Sequence, residues 1–212
     1  MKKFDGGIQS ETDSHDELTA AEMVKAAMVV TSRRQLRQKG IVGLYNEITS
    51  EEAEDVIQDI LCLVEFGAKE IRFNISSEGG SLYNGMGVVR AVRLAQSRGV
   101  RVIGHVYGQA QSMAFFILQY CDERVMGVGD ILMCHGVSLG IHGDIRDMEA
   151  EKKQMDFFQE LFASLLSTRC TAKDIESKYR DPVTWADILL SNTPVYFTSE
   201  EAMEYGLVDR VE

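Results

Sequence analysis

The sequence predicts an α/β domain on a mainly parallel sheet, and three observations carry that prediction. Glu70-Ile71-Arg72-Phe73-Asn74-Ile75-Ser76 alternates apolar and polar residues strictly, the period of a strand with one buried face. A second apolar run, Val100-Arg101-Val102-Ile103-Gly104-His105-Val106-Tyr107, follows after a segment long enough for a helix. The units are short and run strand, helix, strand, helix, an order that requires parallel strands joined by right-handed crossovers.

The remaining elements follow along the chain. Residues 1–17 are polar and acidic and read as a mobile tail. Thr19-Ala20-Ala21-Glu22 is a capping-box pattern that opens a helix running towards Gln38. Ile41 to Leu44 predicts a short strand. A second capping box, Thr49-Ser50-Glu51-Glu52, starts a helix with Val56, Ile57, Ile60, Leu61 and Val64 on one face. Helices are expected from Tyr83 to Arg98 and from about Gln111. Asp144 to about Arg169 reads as one long helix without a breaker, its apolar stripe formed by Met148, Met155, Phe158, Leu161, Phe162, Leu165 and Leu166. A helix of this length either projects towards another subunit or lies along the surface. The tail predicts a helix over 183–190, a strand at Val195-Tyr196-Phe197, and a helix from Ser199 to Tyr205.

Composition narrows the function. With 45 % hydrophobic residues and two prolines in 212 residues, the chain can build a real core. A net charge of −11 argues against a nucleic-acid binder. The basic run Arg33-Arg34-Gln35-Leu36-Arg37-Gln38-Lys39 reads as a solvated helix face or an interface. Cys62, Cys121, Cys134 and Cys170 show no paired or metal-type spacing. The first three lie in apolar runs, which suggests buried thiols in a reducing compartment. Lys2 and Lys3 are not followed by an apolar segment, and no run approaches membrane-spanning length, so a cytosolic, unexported protein is expected.

Three features carry chemistry. Ser112, in Gly108-Gln109-Ala110-Gln111-Ser112-Met113-Ala114, falls at a strand-to-helix corner. His135, in Ile131-Leu132-Met133-Cys134-His135-Gly136, falls at a strand end. Between the first two strands' ends lies Ser76-Ser77-Glu78-Gly79-Gly80-Ser81, a glycine turn with free amides. A serine hydroxyl needs a base and an oxyanion site to act as a nucleophile. His135 is the candidate base, and the Met113 and Gly80 amides are candidate oxyanion donors. Blander roles exist for each: an N-cap for Ser112, a tight turn for the glycines, a structural role for the histidine. His15, His105 and His142 take that structural reading. No Gly-x-Ser-x-Gly elbow is present, which argues against an α/β-hydrolase. Cys134 beside His135 is a weak nucleophile candidate, because neighbouring strand residues point to opposite faces.

Taken together, these blocks resemble the proteolytic subunit of the ATP-dependent Clp protease from about Ile41 to Val211. The family's Asn-Ser-Pro-Gly-Gly turn corresponds to Ser76-Ser77-Glu78-Gly79-Gly80, followed by Gly85-Met86. Its Gly-Gln-Ala-Ala-Ser-Met block corresponds to Gly108-Gln109-Ala110-Gln111-Ser112-Met113, and its Met-Ile-His to Met133-Cys134-His135. Its closing block corresponds to Glu201-Ala202-Met203-Glu204-Tyr205-Gly206-Leu207-Val208-Asp209. The resemblance implies a crotonase-like fold with a protruding handle helix, an N-terminal tail and helical arm over 1–40, and a serine peptidase domain over 41–212. It implies Ser112 as nucleophile, His135 as general base, and Gly80 and Met113 as oxyanion amides. It also implies unfolded polypeptide substrates, stacked heptameric rings of identical subunits, a Clp-type ATPase partner, and no metal or organic cofactor for bond cleavage.

The chain departs from the family at informative places. Counting back from Glu201-Ala202 puts Pro194 where the family has the aspartate of its triad. Asn192, Thr193, Asp181 and Asp187 are the nearby alternatives, and an asparagine or a carbonyl can hold an imidazole without adding charge. Glu78 replaces the family proline. The segment before Lys39 does not match the usual arm and pore-loop pattern, which leaves pairing with an ATPase open. Two rival readings remain: a catalytically weak or inactive ring subunit, and an acyl-CoA enzyme on the same fold.

Overall fold

The computed structural model describes residues 19–138, 145–170, 184–191 and 193–212. The expected tail, His15, His142, Asp181 and Asn192 lie outside the described residues. The chain divides into two units, Met1–Gln35 and Leu36–Glu212. In the first, helix α1 (Ala20–Gln38, continuing into the second unit) exposes Met23, Val24, Met28, Val29 and Val30.

The second unit holds the sheet, with seven strands among the described residues: β1 (Ile41–Ile48), β2 (Glu70–Gly80), β3 (Arg101–Gln111), β4 (Glu123–Met126), β5 (Ile131–Cys134), β6 (Val195–Phe197) and β7 (Arg210–Val211). The order β1-β2-β3-β4-β7 is parallel throughout, and only the β5–β6 pair is antiparallel. The mainly parallel α/β architecture is therefore as expected. The alternation in β2 buries Ile71, Phe73, Ile75 and Ser77. Helices α2 (Ser50–Glu65), α3 (Leu82–Ser97) and α4 (Met113–Gln119) connect the strands and bury their apolar faces. Thr49 caps α2 as expected, its hydroxyl accepting from the Glu52 N–H at 3.2 Å.

Strand β3 changes neighbours along its length. Its first half pairs with β4 and its second with β5, so the sheet forks. The fork falls at Gly108, whose φ of +82° suits glycine. Asp130 pins it, one carboxylate oxygen accepting from the Gly108 N–H and the other from the Gly127 N–H, each at 2.7 Å. This fork carries β3 onward to Ser112 and brings β5 alongside it.

Helix α5 (Ile145–Arg169) spans 25 residues. Its C-terminal half packs inward through Phe162 and Leu166, while Met148 and Phe157 nearer its start are exposed. The expected stripe is thus buried at one end only. The Phe162 ring stacks on Phe116 of α4, centroids 3.9 Å apart and planes 8° from parallel. Such a pair adds about 1 kcal/mol beyond its buried area. Helices α6 (Trp185–Ser191) and α7 (Ser199–Glu204) flank β6. Thr198 and Glu201 complete a capping box on α7.

The structure lengthens three expected elements. β1 reaches Ile48 rather than Leu44, and β2 and β3 continue to Gly80 and Gln111 through register irregularities. Gly79 and Gly80 are consequently the end of a strand, not a free turn. Cys121, Cys134 and Cys170 are buried, whereas Cys62 is half-exposed. Burial pushes the Cys121 thiol up to about 12, so it stays protonated.

Candidate active site

Ser112 stands between the end of β3 and the start of α4, with φ +52° and ψ −123°. A non-glycine residue in this region is strained, at a cost of about 1–3 kcal/mol, and needs surroundings that over-determine it. Those surroundings are present. The Ser112 N–H donates to the Met133 carbonyl of β5 at 2.8 Å, and the Ser112 carbonyl accepts the first turn of α4 from Phe116. Its side chain makes no capping hydrogen bond. The N-cap role weighed for this serine is therefore not what its hydroxyl does. Instead, Ser112 lines a cavity of about 190 Å³ together with Gly80, Met113 and His135. All four residues singled out in the sequence meet there.

The glycine pair is built against this corner. A Cβ on Gly79 would fall 2.7 Å from both the Gln111 carbonyl oxygen and the Ser112 Cβ. Gly79 and Gly80 have φ of +97° and +143°. Ile48 of β1 lies opposite Gly80, and its carbonyl accepts from the Ser81 N–H at 3.0 Å. In a parallel ladder this leaves the Gly80 N–H pointing away from β1. The Met113 N–H heads α4, where a helix offers no internal acceptor. Gly85 of α3 leaves room for the Met113 side chain, which occupies the space a Cβ would take.

Ser77 is a contributor that the sequence reading left unassigned. Its fully buried hydroxyl donates to the Asn46 carbonyl and accepts from the Gly79 N–H at 3.1 Å. It ties the glycine strand-end to the bulge in β1, where Asn46 has φ +60°. The signal was in the alternation: Ser77 continues the inward set of Ile71, Phe73 and Ile75, and a buried hydroxyl needs partners.

His135 follows β5 directly and is half-buried. Its Nδ1 lies 2.5 Å from the Gly136 carbonyl oxygen. The β5–β6 register runs Met133↔Tyr196 and ends at Cys134↔Val195, with His135 just after β5 and Pro194 just before β6. Pro194 is exposed and has no polar side-chain atom. Thr193 turns to α6, where its N–H and hydroxyl bond Ser191. Asp187 is engaged at the start of α6, accepting from the Thr184 hydroxyl at 2.7 Å and the Thr184 N–H at 2.9 Å. These bonds hold its carboxyl below the usual range. Among the described residues, the nearby alternatives are thus occupied elsewhere. Cys134 is buried in the core, and His105 sits in mid-strand on β3, where burial and Arg72 lower its pKa.

The far end of α4 is anchored as firmly as its start. Arg124, almost fully buried, donates to both Asp209 oxygens at 2.7 and 2.9 Å and to the Gln119 side chain at 2.7 Å. Gln119 in turn donates to the Leu207 carbonyl at 3.1 Å. This network ties the closing segment to the helix that begins at Ser112. Among the described residues no cluster of His, Cys, Asp and Glu could hold a metal ion, and no helix is long and apolar enough to cross a membrane.

A family model described as Clp protease matches residues 24–212. The ATP-dependent Clp protease proteolytic subunit 1 of Prochlorococcus marinus (strain MIT 9312) is 30 % identical over 181 residues, 84 % of this chain and 86 % of that protein. Subunit 2 of Chlamydia pneumoniae is 30 % identical over 188 residues, 87 % of this chain and 85 % of that one. Subunit 2 of Thermobifida fusca (strain YX) is 26 % identical over 203 residues, 93 % of each chain. Matched over most of its length by that model and along most of each of these relatives, the chain belongs to the Clp protease family.

Proposed function

We propose that this protein is a serine endopeptidase that cleaves unfolded polypeptides or peptides, with 41–212 as its peptidase domain. The observation that carries this reading is Ser112 itself. It is strained at positive φ, its hydroxyl has no capping bond, and it shares a cavity with His135. Ser112 Oγ attacks the substrate carbonyl carbon while His135 takes the hydroxyl proton. The oxyanion that forms accepts from the Gly80 and Met113 N–H groups, each such donor being worth about 10²–10³ in rate. The imidazolium then protonates the leaving amine, and water hydrolyses the acyl-enzyme with His135 again as base. Leu82, Met113, Phe116, Val137 and Phe162 give the cavity an apolar wall, which suits an apolar substrate side chain. The names of these relatives, ATP-dependent proteolytic subunits, and the exposed apolar residues of α1 support assembly as a homo-oligomeric chamber fed by a Clp-type ATPase.

Pro194 favours a second reading, a weak or inactive ring subunit. Intact-mass spectrometry after incubation with a fluorophosphonate separates the two. A single adduct is expected on the wild type, absent in Ser112→Ala and strongly slowed in His135→Ala. No adduct on a folded, assembled protein overturns the enzyme reading.

A further inference from the structure

We propose that the main-chain carbonyl of Gly136 takes the place of the triad aspartate, fixing the tautomer and orientation of His135. This rests on the reading of His135 as the base. A neutral imidazole has one N–H, and a carbonyl oxygen can only accept. The 2.5 Å contact between His135 Nδ1 and the Gly136 oxygen therefore puts the proton on Nδ1 and leaves the Nε2 lone pair for the serine. An aspartate does the same orienting work in the triad and adds a full negative charge beside the imidazolium. The carbonyl supplies the orientation with only a partial charge.

Among the described residues, the side-chain candidates for this role are engaged elsewhere or have no acceptor, which leaves it to the backbone. Pro194, just before β6, offers no side-chain acceptor. Thr193 and Asp187 are bonded within the α6 segment. The carbonyl belongs to a buried glycine that itself lines the cavity, so the acceptor is attached to the same short segment as the ring it holds. Gly136 is a positioning residue and touches no substrate through this bond.

The test is the ring ¹⁵N spectrum of the full-length, histidine-labelled protein at mildly alkaline pH, with His135→Gln assigning the resonances. The pyrrole-type nitrogen is expected to be Nδ1 and the pyridine-type nitrogen Nε2. The pattern is expected to persist in Asn192→Ala and Asp181→Asn, with fluorophosphonate labelling rates within about twofold of wild type. A proton on Nε2 overturns the proposal. So does a change of tautomer, or a tenfold fall in labelling, when either side chain is removed. Failure of the enzyme reading looks different: a wild-type protein that keeps the Nδ1–H pattern but takes no adduct retains the carbonyl's role and loses the reaction. A protein that labels at Ser112 but carries the proton on Nε2 retains the reaction and loses the carbonyl's role.

Discussion

Ser112 and His135 face one cavity from two differently built walls. On the serine wall, Gly79 packs Cα-on-Cβ against the strained corner, Ser77 clamps the glycine strand-end to β1, and the Arg124 network holds the other end of α4. On the histidine wall, a four-residue strand ends at Cys134 and the imidazole is held by the carbonyl of the next residue. Ser112 and the Gly79-Gly80 strand-end are each locked by several independent contacts. Among the described residues, His135, the base in the proposed reaction, has one local bond, and Pro194 stands just before β6.

The largest effect should come from filling the closest approach on the serine wall. In Gly79→Ala the new Cβ meets backbone and Ser112 at 2.7 Å, at a φ of +97° that alanine rarely adopts. The strand-end must move, and the Gly80 N–H moves with it. Fluorophosphonate labelling should fall by about 10²–10³, the size of one lost oxyanion donor. Stability should fall by about 2 kcal/mol for the strained backbone alone. Pro194→Ala, on the other wall, should change stability by less than about 1 kcal/mol. Equal losses in chemical denaturation would break the contrast between the two walls.

Next in size is the distant anchor of α4. Arg124 has a side chain only 4 % exposed while its partner Asp209 is 41 % exposed, so the penalty of separating them falls on the arginine. Asp209→Asn removes the negative charge that offsets the buried guanidinium and one of its two carboxylate acceptors, leaving an amide oxygen and the Gln119 oxygen. Discounting for the solvent around Asp209, the expected cost is about 2 kcal/mol. Burial pushes the Asp209 carboxyl up, but the hydrogen bonds and charge of Arg124 outweigh it and set it below its ordinary value. A lowered folded value means stabilisation that is fully present above the unfolded value of about 3.9 and is lost as pH falls through the folded one. Melting curves taken downward from neutral pH should therefore begin to converge for wild type and Asp209→Asn once pH falls below about 4. Parallel curves would show that the pair does not couple to folding.

The same two walls separate what was readable in the sequence from what was not. The capping box on Thr198 was missed, whereas the alternation of β2, the cap at Thr49 and the serine, histidine and glycine blocks were legible because each rests on local residue types. The fork of β3 was not, because it depends on Asp130 reaching back to the Gly108 amide across 22 positions. Nor was β4, a four-residue strand whose pattern carries too few residues to show a period. The Phe116–Phe162 stack joins residues from separate helices and has no signature in either. Pro194 was visible as a departure, but the bond at Gly136 was not, since a backbone carbonyl is present at every position and only geometry selects one.

The smallest predicted effect isolates the strain at the corner. Ser112→Ala and Ser112→Gly both remove the proposed nucleophile, so neither should take an adduct. They differ in the backbone. Alanine keeps the penalty of φ +52° and ψ −123°, whereas glycine adopts these angles freely. Glycine also has more freedom to lose on folding, about 0.5–1 kcal/mol, which offsets part of the gain. The net expectation is that Ser112→Gly is more stable than Ser112→Ala by about 1 kcal/mol, a difference of roughly 2–4 °C in melting temperature for a chain of this size. That sign would mean the corner is held in place against its own preference by Gly79, Met133 and α4. An alanine variant as stable as the glycine one would mean that the surroundings impose little, and that the serine wall is no more tightly specified than the histidine wall.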